Sequence, residues 1–170
     1  MKRLSLIALA LATTAISFAQ NTDYTPTNLA FRLGFAYPLN DTTRDLSKRF
    51  IGVGADYYFP TQFIRGSQTY LSIDWLGKSG NGAKGNVFPI MLNQKFYGRN
   101  QEEGRANSYG FFGIGIAVVD VTSTKTVVGG RVGFGVDLGP NIFVEAAFTI
   151  TDNANGAKGD NVGLWLGYHF

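Results

Sequence analysis

The chain has 170 residues, no cysteine, 22 glycines, 14 phenylalanines and 8 tyrosines, with a formal net charge of +3 and a mean hydropathy of +0.01. Disulfides and a cysteine-linked lipid anchor are therefore excluded. No Lys/Arg stripe is present, so nucleic acid is not an expected partner.

Lys2 and Arg3 precede an apolar run from Leu4 to Ile16, and Ser17-Phe18-Ala19 supplies small residues where a signal peptidase reads. This layout predicts a secretory signal over residues 1–19, cut after Ala19; its apolar run is too short to cross a bilayer as a helix. Cleavage takes two of the 15 basic residues and leaves 13 against 12 acidic, so the sequence pI of about 9.2 overstates how basic the exported protein is. Residues 20–170 suit one domain.

After a polar lead-in over Thr22–Asn28, segments of alternating character recur between turn-rich stretches. They predict strands at Leu29–Pro38, Phe50–Phe59, Thr69–Leu76, Asn86–Tyr97, Tyr109–Asp120, Thr126–Leu138, Asn141–Ile150 and Asp160–Phe170. Most approach the roughly nine to eleven residues that a tilted strand needs to cross a membrane. Helical periodicity is absent after the signal. One face of every strand is apolar: Leu29, Phe31, Leu33 and Phe35 in the first, Phe112, Ile114, Ile116 and Val118 in the fifth, Val162, Leu164, Leu166, Tyr168 and Phe170 in the last. The other face is rich in glycine and carries the charges. Gln94 interrupts the apolar set and is expected near a membrane edge. A soluble barrel that binds a ligand needs its apolar face inside, so this pattern disfavours it; lipid is the better solvent for such an exterior.

An exported N-terminus and an even strand count put both ends in the periplasm and make the odd strands run outward. Gly139-Pro140-Asn141 then becomes a tight periplasmic turn. Tyr57, Tyr58, Phe59, Phe96, Tyr97, Tyr109, Phe112, Tyr168 and Phe170 fall at that end as an aromatic girdle, while Tyr37, Phe50, Trp75 and Phe88 mark the outer interface. The terminal alternation through Leu166, Tyr168 and Phe170 resembles the sorting signal of bacterial outer-membrane barrels, implying recognition by the barrel-assembly machinery. Across residues 20–170 the chain resembles OmpA/OmpX-type small outer-membrane barrels: all-β, an eight-stranded antiparallel transmembrane up-and-down β-barrel. The resemblance implies an outer-membrane monomer in contact with membrane lipid and lipopolysaccharide. Two departures stand out, short outer loops and a long Tyr97–Ser108 link with Glu102, Glu103 and Arg105. No peptidoglycan-binding segment follows the barrel in this chain, so the tethering role of larger relatives is not expected.

Inward positions hold Arg32, Asp56, Asp74, Lys95, Arg131, Asp137 and Glu145. Symmetric pairing of the first hairpin, Pro38 opposite Phe50, would put Arg32 across from Asp56; Arg131 and Glu145 would meet diagonally. These charges make either an ion-pair network filling the barrel or a polar lumen for small ions. The first is favoured, since an eight-stranded interior is just wide enough for side chains and buried charges need partners.

Gly80-Asn81-Gly82-Ala83-Lys84-Gly85 matches a dinucleotide-binding spacing, but that motif works between a strand and a helix, and here a strand follows. The glycines of Gly130–Gly135 lie inside a strand and serve close packing. Asn81–Gly85 recurs as Asn155–Gly159, and both copies fall outside the cell in this topology. They are either flexible, soluble hairpin loops or a remnant of hairpin duplication, the reading that Gly/Asn-rich turns favour, or a paired Lys84/Lys158 surface for anionic lipopolysaccharide or a ligand. His169 is the one histidine, at the periplasmic rim, and a lone histidine makes no metal site. Lipid-A acyltransferases and deacylases among the barrels this chain resembles use a histidine with a serine or carboxylate near the outer leaflet, so the resemblance does not imply that activity for a histidine at the other end. No catalytic residue, cofactor or metal is expected. The sequence points to an envelope protein with a structural or surface-interaction role, with a small-solute or hydrophobic-compound pore as the alternative.

Overall fold

Residues two apart share a face of an extended chain, so alternation alone forces this sequence into strands with one apolar side. The computed structural model describes residues 28–78, 85–98, 106–121 and 123–170. The expected signal peptide, Lys84, and Glu102, Glu103 and Arg105 lie outside the described residues. Eight strands follow one another: β1 (Leu29–Pro38), β2 (Phe50–Tyr58), β3 (Gln68–Gly77), β4 (Asn86–Tyr97), β5 (Asn107–Asp120), β6 (Thr124–Asp137), β7 (Ile142–Thr151) and β8 (Asn161–His169). Each pairs antiparallel with its chain neighbour, and β1 pairs with β8 from Ala30↔His169 to Pro38↔Asn161. The sheet is a closed up-and-down barrel. We call the end holding Leu29 and His169 the base and the opposite end the crown.

The faces are inverted relative to a soluble protein. Arg32, Asp56, Asp74, Lys95, Arg131 and Glu145 are buried, while Ile114 is 72% exposed and Val128, Leu33, Phe35 and Phe134 are similarly bare. Inward rings press against glycines of other strands. A Cβ at Gly52 would meet Trp165, at Gly135 Tyr109, at Gly133 Phe111 and at Gly167 Phe143, all within 2.6 Å. Glycine is what leaves room for aromatic rings in so narrow an interior.

Four expectations need correction. The β1–β2 link contains a helix, α1 (Asp41–Leu46), too short to show a period; its signal is Asn40, whose side chain accepts from Thr43 N–H at the N-cap. That helix makes the link between β1 and β2 an ordered cap. The first hairpin pairs Ala36 with Phe50 and Arg32 with Gly54, a register two residues from the symmetric one, so Arg32 does not face Asp56 directly. Tyr58, Tyr109 and Phe50 are buried inside the barrel and do not belong to the aromatic belts; Tyr97 packs against the same interior. Their strand parity places them inward, whatever their height. Finally, Asn155–Gly159 is no flexible loop: Ala154 and Ala157 form a β-bridge and are buried, and Asn155 (φ 53) is braced by Lys125 and Ser123. The β6–β7 link is tight, with Leu138 N–H donating to Ile142 O at 2.7 Å and Gly139 at φ +139.

Candidate functional site

The interior is stacked in three layers. Nearest the crown it is apolar: Phe50, Leu76, Val87, Ala117 and Val119 fill the bore beneath Ala154 and Ala157. α1 closes this end by docking on the β7–β8 link, where Thr43 Oγ1 donates to Lys158 O at 2.7 Å and Thr42 Oγ1 to Gly156 O at 3.2 Å.

The middle layer is ionic. Arg32 on β1 reaches across the bore to three carboxylates, donating through Nη1 to Glu145 Oε1 and through Nη2 to Asp74 Oδ1, both at 2.7 Å, with Asp56 Oδ1 at 3.1 Å. Arg131 on β6 takes the other oxygen of Asp74 at 2.5 Å and also donates to Ser72 Oγ (3.1 Å) and Thr149 Oγ1 (3.2 Å). Asp74 therefore bridges two guanidiniums. Arg131 turns to Asp74 in place of the expected diagonal with Glu145, because Glu145 is taken by Arg32 and by the Tyr109 hydroxyl, which donates at 3.2 Å. Sequence alternation singles out these residues but carries no sign of contacts that cross the bore. The indole of Trp165 lies over the Arg32 guanidinium at 5.0 Å.

The base layer is an aromatic box around Lys95. Its Nζ sits 3.7 Å from the Tyr109 ring centroid and 4.7 Å from that of Tyr97, and donates to Asp137 Oδ1 at 3.4 Å. A desolvated ammonium is compensated there by ring faces as well as by its carboxylate. His169 closes the box, its ring 4.7 Å from Phe143 and 5.2 Å from Tyr58. Leu166, Tyr168 and Phe170 line the β1–β8 seam outside, where Phe170 N–H donates to Leu29 O at 3.1 Å and its ring meets Phe31 edge-on at 5.4 Å. Apolar side chains, ion pairs and packed rings thus fill the bore at its three levels in turn.

The crown exterior carries the other candidate site. Beside Tyr37, a cleft of about 770 Å³ is lined by Arg44, Asp45, Leu46, Ser47, Lys48, Arg49 and Lys78. Lys78 Nζ donates to Leu46 O at 2.9 Å, tying β3 to the end of α1, and Arg44 pairs with Asp41. Four basic groups meet Asp45 here, three from the β1–β2 link and Lys78 from just after β3, none on the link that carries Lys158. The dipeptide Lys48-Arg49 was the available signal, but the spacing of the crown links in space is not written in it.

No protein-family model matches the sequence, and neither does any curated protein. Solved structures do. The outer membrane enzyme PagL aligns with a TM-score of 0.55 at 11% identity, over 84% of this chain and 97% of that chain. Ail, the attachment invasion locus protein of Yersinia pestis, aligns at 0.53 and 15% identity, over 85% and 99%. The N-terminal β-barrel domain of Pseudomonas aeruginosa OprF aligns at 0.51 and 14% identity, over 86% and 100%. The chain has the fold of the small eight-stranded outer-membrane β-barrels.

Proposed function

We propose that this protein is an integral barrel of a bacterial outer membrane, reached after removal of residues 1–19, with a non-catalytic role in envelope structure and surface contact. The observation that carries this reading is the inversion of the barrel: large apolar side chains cover the outside, and two arginines, a lysine and their carboxylates fill the inside. Water cannot solvate such an exterior without aggregation, whereas bilayer hydrocarbon does. With the base in the periplasm, the crown faces outward. Its cleft, where Arg44, Lys48, Arg49 and Lys78 outnumber Asp45, would then engage anionic headgroups of the outer leaflet.

The test combines location with charge. Cell fractionation should find the chain in the outer membrane, with faster gel mobility unboiled than boiled. A Lys48→Glu/Arg49→Glu variant should keep that mobility shift and lose retention on vesicles that carry lipopolysaccharide. Recovery in the soluble periplasmic fraction would reject the membrane reading; unchanged retention would reject the role of the crown.

A further inference from the structure

Gln94 interrupts the apolar outer wall, and the β2–β3 link explains it. Gln94 shares the outward face with Leu92 and Phe96, yet both it and the outward Thr69 opposite are buried. Residues 62–67 cover them. Ser67 Oγ and Thr69 Oγ1 donate to Gln94 Oε1 at 2.9 and 3.0 Å, and Phe63 N–H donates to Thr69 Oγ1 at 3.3 Å. The link therefore leaves the base and folds outward against the wall, away from the barrel opening.

Its shape is fixed by a turn. Ser67 N–H donates to Ile64 O at 3.1 Å, with Gly66 at φ +80 in the third position, as a type II turn requires. This conformation holds Phe63 61% and Ile64 42% exposed, with Arg65 between them and the turn glycine. Phe63 stacks on Phe59 at 6.2 Å, and Phe59 meets Tyr57 edge-on at 5.2 Å. Tyr57 and Phe59 belong to the outward face, so apolar surface continues unbroken from wall to link.

We propose that this link is an interfacial anchor, with Phe63 and Ile64 seated at the headgroup–acyl boundary of the periplasmic leaflet and Arg65 reaching phospholipid phosphate. The proposal rests on the membrane-spanning reading above. Continuity with the lipid-facing wall selects lipid as the occupant, and an aromatic–aliphatic pair beside a cation suits that boundary. A rigid, wall-docked turn of this kind fixes how deep the barrel sits at its base.

The absence of cysteine lets one introduced residue carry one nitroxide. Phe63→Cys, Ile64→Cys, Ile114→Cys and Asp152→Cys variants would be labelled, folded into vesicles of zwitterionic and anionic phospholipid, and checked by the gel-mobility shift. Collisions with dissolved oxygen report lipid, and collisions with a water-soluble nickel chelate report solvent. The labels at 63, 64 and 114 should be oxygen-dominated, with 63 and 64 shallower than 114, and the crown label at 152 nickel-dominated. Nickel relaxation at 63 and 64 as strong as at 152, with 114 still in lipid, overturns the anchor and leaves the spanning barrel standing. Protection of 63 and 64 from both agents would mean a protein contact and overturns it too. A solvent-exposed label at 114 overturns the spanning reading itself.

Discussion

Asp74 is the residue on which the interior turns, since each of its oxygens is held by a different arginine. Asp56 is in the opposite position. It sits 3.1 Å from Arg32, but its two buried oxygens accept no hydrogen bond among the described residues. The middle layer sets three carboxylates against two guanidiniums, so losing Asp56 evens the charge, while losing Asp74 strips both arginines. Asp74→Ala should therefore cost about 3–5 kcal/mol, the usual result of orphaning buried charge, and Asp56→Ala distinctly less. Urea unfolding in lipid vesicles measures both, and the reverse order would contradict this arrangement. Strand parity made the identity of these charges legible in the sequence. Their pairing was not legible, because Arg32 finds Asp74 and Glu145 across the bore, on strands that local alternation cannot relate.

At the scale of the strand, the outward face is the firm result. Every strand boundary falls within two residues of its expected place, since alternation and turn residues mark both ends. Register was harder. A link containing α1 does not pair its flanks symmetrically, and the first hairpin is offset by two residues. An offset of two preserves parity, which is why inward and outward assignments survive it; an offset of one would have exchanged them. The aromatic belts failed where height was read without parity, at Tyr58, Tyr109 and Phe50. Ile114 tests the face directly, being bare and mid-strand on β5. Ile114→Arg should destabilise the protein folded in bilayers by about 2–4 kcal/mol if the side chain lies near the midplane. A neutral result by the same unfolding measurement would mean that this face does not meet lipid.

For the whole molecule, sequence reading reached the closed inside-out barrel but not its stoppers. The crown cap depends on α1 meeting Gly156 and Lys158, and the base box gathers Tyr58, Tyr97, Tyr109 and Phe143 around Lys95 from four strands. Both are assemblies of residues distant in the chain. Between them lies the arginine–carboxylate layer, so a solute entering either end meets packed rings or paired charge. An eight-stranded bore has no spare width once those side chains are seated. On the reading proposed above, a barrel plugged in this way would serve as a rigid wall element that presents its crown, and not as a conduit. Planar-bilayer recording of the purified wild-type protein tests that claim most directly. Sealing predicts no stable, frequent openings; a reproducible single-channel conductance that changes with Arg131→Ala would contradict it.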